Sequence, residues 1–271
     1  MSISPSRDPS RVETSRRWLL NGKRSISAAI LLATVIPGFA RAEYREVEVK
    51  DAGTITGRVS FHAELPEDAV ETYPISGKWP GCGTGYREII TIDTEQGALR
   101  GVFVLLDGVT AGKKWPEGSS AVGLDQTGCA FVPAYQVVRS GATMTIRNSD
   151  TNVLHNVNMR EIVEVPGGRT VRRMMFNIAQ PVVGEVQQKI KPRKSPFLTV
   201  GCDLHNFMFA HVVAPEHPYA VLVREDGSFL LDAVPPGVHS VIAWHPRLGQ
   251  RSVSVTVPAS GTVEANFEFG E

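Results

Sequence analysis

Short β-branched or alternating runs, set between clusters of Gly, Pro, Asn and Asp, recur along most of this chain, and helical periodicity is scarce. The clearest runs cover residues 54–61, 100–106, 135–138, 143–147, 197–200 and 211–213. A strand points successive side chains to opposite faces, so a short alternating run has one apolar face to bury against another layer. Many such runs with frequent turns predict an all-β sandwich.

Composition shifts near Ala214-Pro-Glu-His-Pro218. Beyond it, Asp226-Gly227 is a tight-turn dipeptide between two strand-like runs, and Pro235-Pro236-Gly237 marks another turn. Residues 251–257 alternate polar and apolar. Residues 215–271 therefore read as a second, small β-sandwich after a first domain of residues 43–214. A core of that size is modest, so the second sandwich is expected to lean on the first.

Residues 1–42 read as an export signal peptide. Arg7, Arg11, Arg16, Arg17 and Arg24 precede or flank a largely apolar stretch, 25–39, and Ala40-Arg41-Ala42 offers small residues for cleavage before Glu43. The apolar stretch is short for a bilayer span, so no stable membrane insertion is expected after cleavage; an uncleaved membrane anchor is the alternative. Ser15-Arg16-Arg17-Trp18-Leu19-Leu20 resembles a twin-arginine signal, which exports folded cargo; an ordinary secretory signal with an incidental Arg pair is the alternative. Either places the mature chain in the periplasm or outside the cell.

Seven basic and two acidic residues lie in 1–42, which leaves 21 basic against 26 acidic side chains, a net charge of −5. That excludes the basic excess of a nucleic-acid-binding protein. Charge is uneven, however: residues 160–194 hold eight basic and three acidic side chains, ending in Lys189-Ile-Lys-Pro-Arg-Lys194. This segment is either a docking patch for an acidic partner or a solvated loop.

Three cysteines in an oxidising compartment leave one unpaired when a single bridge forms. Cys82 and Cys129 both sit in Gly-flanked, loop-like settings and are expected to pair. The other pairing, Cys129 with Cys202, would consume the third thiol.

That third thiol lies in Cys202-Asp-Leu-His205-Asn-Phe-Met208, where a thiolate, an imidazole and a thioether stand within seven residues. His155 lies far upstream and can complete the set. Two imidazoles, a thiolate and a weak axial thioether suit copper, whereas structural zinc sites take four Cys or His ligands. The alternative is that Cys202 and Met208 pack in a core while the histidines face solvent. Met159, Met174 and Met175 read as core or loop methionines, and His211, His217, His239 and His245 as structural or surface residues. The chain shows no phosphate-binding Gly loop, no nucleophile elbow and no H-E-x-x-H motif, and is not expected to be an enzyme.

The pattern Asn148-Ser-Asp…His155-Asn156…Cys202-x2-His205-x2-Met208 resembles the copper site of cupredoxins, most nearly the amicyanin type, over roughly residues 50–214. The resemblance implies a Greek-key sandwich and one type 1 copper held by His155, Cys202, His205 and Met208. It implies Asn156 as a neighbour that pins the loop near Cys202, and single-electron transfer as the function. It also implies that the His205 edge reaches the surface through an apolar patch, with a redox partner docking near His205 and Phe207. Cupredoxin loops of this type carry Pro after the second His; Asn206 stands here, which leaves the backbone on that side less restricted. Residues 215–271, with their D-G-x-F turn, V-P-P-G and W-H, resemble the transthyretin-like carboxypeptidase regulatory-like domain. Two other functions fit the same sequence: a periplasmic copper-binding or chaperone module, and a non-redox interaction scaffold.

Overall fold

The structure is a computed structural model that describes residues 43–165 and 169–270. The expected export signal, 1–42, lies outside the described residues. Among these the protein is all-β, with only two short 3-10 segments, Glu67–Ala69 and Pro80–Cys82, between the strands. No described helix is long and apolar enough to cross a membrane.

The first sandwich has two sheets. One is ordered Ala130–Val132, Ala121–Thr127, Thr143–Asn148, Gly184–Lys189. The other is ordered Tyr135–Val137, Phe209–Val213, Phe197–Gly201, His155–Val165, Arg169–Gln180. The chain crosses between the sheets from Asn148 to His155, from Gln180 to Gly184 and from Lys189 to Phe197, which gives the Greek-key interleaving. The alternation seen in the sequence decides the faces. Met144 and Ile146 point inward from one sheet; Val157, Met159, Leu198, Val200, Ala210 and Val212 point inward from the other. Burying each such side chain contributes about 1.5–3 kcal/mol.

A second sandwich has its own core, including Ile55, Val59, Leu99, Val104, Leu106, Leu231, Val241 and Phe267. Its strands come from both ends of the chain. Gly53–Phe61 pairs antiparallel with Ser228–Val234 and parallel with Thr262–Glu264 and Phe267–Phe269. Phe103–Asp107 lies between Ala220–Leu222 and Gly237–His245. The sheets therefore cross residue 214, and residues 215–271 share their core with strands near the start of the described residues.

The two sandwiches meet through a third apolar cluster, Phe103, Leu105, Phe197, Val213, Ala220 and Trp244. Phe197 stacks on Trp244 at 4.6 Å. Phe197 and Val213 sit on the outer face of the His155-bearing sheet, so that sheet is buried on both sides. Finally, Val70–Pro74 and Tyr86–Ile90 form a separate hairpin. Residues 75–85 connect its strands, and Ile75 and Trp79 pack against the core of the first sandwich.

Candidate metal centre

Thr143–Asn148 ends one sheet and His155 begins a strand of the other. Asn148, fully buried, closes the turn between them. Its Nδ2 donates to Gln180 O at 3.0 Å and Val153 O at 3.2 Å, and its Oδ1 accepts from Asp150 N at 3.0 Å. An Asn side chain supplies both donor and acceptor here, which a buried turn of unpaired backbone needs. The turn delivers His155 to the end of the barrel-like space between the sheets.

Residues 202–208 join two paired strands, Phe197–Gly201 and Phe209–Val213. Cys202 N donates to Met208 O at 3.3 Å and Met208 N to His205 O at 2.9 Å, so the loop is tight and both its ends enter the core.

The structure brings His155, Cys202 and His205 together: one donor atom from each lies within 4.8 Å of the others. His155 Nδ1 and His205 Nδ1 are 3.1 Å apart, and Cys202 Sγ is 3.5 Å from His205 Nδ1. His155 is 0%, Cys202 5%, His205 2% and Met208 2% exposed. Met208 packs in the same apolar cluster as Cys202. Two ring nitrogens and a thiol converging in a buried space, with Met208 in the surrounding apolar cluster, form a donor set that fits copper. Burial, and next the neighbouring His155, push His205 down to about 4, so its imidazole is neutral with a lone pair to give.

Asn156 lies beside Cys202. Its Oδ1 accepts from Asp203 N at 2.8 Å and faces Cys202 Sγ at 3.3 Å. Asp203, in turn, accepts from Asn158, Asn177 and Asn156, and these hydrogen bonds, Asn158 first, hold its carboxyl below the usual range. Two of these partners, Asn158 and Asn177, carry no signature in sequence because they lie on neighbouring strands.

Asp150 also escaped the sequence reading as a functional residue. Its Oδ2 is 2.8 Å from His155 Nε2, and its carboxylate accepts from Gly128 N at 2.6 Å and Cys129 N at 2.8 Å. A carboxylate on the outer nitrogen keeps the proton there and turns the Nδ1 lone pair toward Cys202 and His205. The signal available was a carboxylate five residues before a candidate ligand, in a turn.

Cys82 and Cys129 are joined in a disulfide, and Cys202 is the free thiol. The bridge ties the 75–85 segment over the site. Cys82 Sγ lies 3.6 Å from His205 Nε2, and Trp79 packs edge-on to His205 at 5.4 Å between ring centres. Arg87 donates to Gly128 O and Cys129 O and covers the Phe207 ring at 4.8 Å. The His205 edge therefore does not reach the surface: His205 is 2% and Phe207 5% exposed, whereas Leu204 beside them is 45% exposed. The physical reason is the hairpin inserted upstream, whose tip is held down by the bridge.

The basic segment lies at the other end of the sandwich. Lys189 pairs with Thr143 and Gly184 with Asn148, so five residues of strand, about 17 Å, separate Lys189 from the metal end. Arg193 N and Lys194 N both donate to buried Glu161, which fixes the segment there. Of the other candidates, Met159 is core, Met174 is exposed, and His217 and His245 are buried away from the site.

No protein-family model matches the sequence, and no curated protein does. Solved structures resemble part of the chain. Dithionite-reduced auracyanin from Roseiflexus castenholzii is 14% identical, over 35% of this chain and 97% of that one, with a TM-score of 0.29. A purple cupredoxin from Nitrosopumilus maritimus is 16% identical, over 35% and 99%, with a TM-score of 0.27. The reduced Cu(I) form of an amicyanin mutant is 20% identical, over 38% and 87%, with a TM-score of 0.24.

Proposed function

We propose that this protein is a type 1 copper protein that carries single electrons between redox partners outside the cytoplasm. The observation that carries this reading is the convergence of His155 Nδ1, Cys202 Sγ and His205 Nδ1 within 4.8 Å in a buried pocket. Bound there, copper supplies a one-electron couple, and a His2Cys set with a weak axial thioether suits both of its oxidation states.

Each residue has a part in this reading. Cys202 would give the thiolate, His155 and His205 would give Nδ1, and Met208 would offer a thioether. Asp150 fixes the His155 ring by its Nε2 proton. Asn156 ties the backbone after Cys202 to the strand that bears His155. Trp79, Phe207 and the disulfide exclude water. Ligands held this tightly move little when charge changes, which keeps electron transfer fast. No residue is asked to make or break a substrate bond. A redox partner docking near His205 and Phe207 meets the 75–85 segment first.

Burial of all four ligands favours a carrier over a chaperone, because a chaperone passes metal through ligands that a partner can reach. The Cys82–Cys129 bridge supports an oxidising compartment.

Optical and paramagnetic-resonance spectra of the protein after Cu(II) addition test the reading. The expected result is an intense visible thiolate-to-copper band with a narrow copper hyperfine splitting. A colourless protein at copper saturation rejects it.

A further inference from the structure

One disulfide stands behind both imidazoles. The Cys82 half touches the outer nitrogen of His205, Sγ to Nε2 at 3.6 Å. The Cys129 half reaches the outer nitrogen of His155 through Asp150, which accepts from Cys129 N and bonds His155 Nε2. The 75–85 segment that Cys82 holds in place is otherwise lightly tied. It contains Gly77, Gly81, Gly83 and Gly85, with φ of +90° and +86° at the last two. Its backbone hydrogen bonds run within the hairpin: Trp79 N to Ser76 O, Cys82 N to Trp79 O, and Ile75 N to Gly85 O. What presses it onto the first sandwich is the bridge, the packing of Trp79 on His205, the packing of Ile75 on the core edge and the close approach of Gly81 to Val153.

We propose that the Cys82–Cys129 disulfide is a redox latch on metal exchange: closed, it holds the 75–85 segment over His205 and keeps the ion in; a dithiol reductant opens it. This rests on the copper reading above. Cys82 and Trp79 of the segment touch His205, so lifting the segment uncovers the His205 side of the site. Glycine freedom lets the segment swing away once the covalent tie is gone. Cys82 is 4% exposed and its neighbours Gly81, Gly83 and Thr84 are exposed, so the reductant approaches from that side. A thiolate of the dithiol attacks one bridge sulfur and releases the other as a thiol. Its second thiol then resolves the mixed disulfide. Two electrons and two protons pass to Cys82 and Cys129, and the dithiol leaves as its own disulfide. Cys202 does not start this exchange itself, because the His205 ring stands between, with Cys202 Sγ on its Nδ1 side and Cys82 Sγ on its Nε2 side.

The test has a metal-free and a metal-bound arm. In apo-protein, Cys202 is the free thiol both in the oxidised wild type and in the Cys82→Ser, Cys129→Ser double variant. Its alkylation by iodoacetamide should be at least about tenfold faster in the variant, as local opening becomes easier. In Cu(I)-loaded protein, release to bathocuproine disulfonate should speed up by a similar factor. Should the double variant misfold, wild type reduced with dithiothreitol and desalted without oxygen replaces it, and reoxidation must restore the slow rates. Rates within twofold of each other in both arms overturn the latch. A wild type that takes up no copper overturns the copper reading instead, and the alkylation arm still decides whether the bridge closes the site.

Discussion

His155 Nδ1 and His205 Nδ1 face each other across 3.1 Å, both rings buried. Two imidazole nitrogens at that distance need a proton or a cation between them, since two lone pairs repel. Cys202 Sγ beside His205 Nδ1 turns the same point into a site for a soft cation. The thiolate is the donor responsible for colour, so Cys202→Ser should abolish the visible band. Met208→Leu should keep the band and shift the potential, because it removes only the weak axial donor. Spectra and cyclic voltammetry of the two variants check this; a coloured Cys202→Ser protein would refute the ligand assignment.

Metal removal should lower thermal stability. An ion that binds only the folded state stabilises it by mass action, about 4 kcal/mol at a thousandfold excess over Kd. Melting followed by circular dichroism, with and without copper, measures this. Equal melting temperatures would mean that the folded site has no preferential affinity.

Asp150→Asn should weaken copper binding by about 10–100-fold, the usual effect of losing a partner that orients a ligating histidine. Asn can still accept from Gly128 N or Cys129 N, so the turn should survive. Competition titration with a chelator of known affinity reads the change, and the copper spectrum reports the altered His155 setting. An affinity within twofold of wild type would remove Asp150 from the site.

The grouping of His155, Cys202 and His205 was legible in sequence, for a physical reason. Cys202, His205 and Met208 share one short loop, and a loop between paired strands keeps its neighbours together in space. His155 could be placed because it follows a strand and an Asn-initiated turn, the local chemistry that ends strands. The Cys82–Cys129 bridge followed from counting thiols and comparing their flanks. The covering of His205 was not legible. Its cover comes from residues 75–85, more than a hundred positions upstream, and no local pattern says which end of a sandwich a hairpin will lie on. The pairing of Gly53–Phe61 with Ser228–Val234 was hidden likewise, since alternation reports which face is buried but not which strand lies alongside.

The basic 189–194 segment should steer partners less than its charge suggests. It lies about 17 Å of strand from the metal end, while screening at 0.1 M salt acts over about 10 Å. Neutralising Lys189, Lys191, Arg193 and Lys194 should leave electron exchange with an acidic partner unchanged at 0.1 M salt and slow it only at low salt. Stopped-flow exchange at two ionic strengths decides. A marked loss at 0.1 M would place the docking surface at that end of the sandwich.

Buried His245 and half-buried His211, both outside the candidate metal centre, should make the protein acid-sensitive. Burial, the first cause for each, pushes His245 down to about 4 and His211 down to about 3. His245 Nδ1 accepts from Arg247 N and Leu248 N, both at 3.2 Å, and can do so only while that nitrogen is unprotonated. Unfolded, each ring would take a proton near its ordinary value of about 6.5. Between that value and the folded one the unfolded chain binds more protons, so stability rises with pH across the window and is complete above it. The contribution is lost as pH falls from about 6.5 toward 4 for His245, and toward 3 for His211. Urea unfolding of the apo-protein at a series of pH values should show that fall, and His245→Gln, which cannot charge, should make it shallower. The Gln variant should also lose some stability at pH 7, because its flexible amide holds the hydrogen bonds from Arg247 N and Leu248 N less firmly than the ring does. An unchanged slope in His245→Gln would mean that this ring titrates alike in the folded and unfolded states.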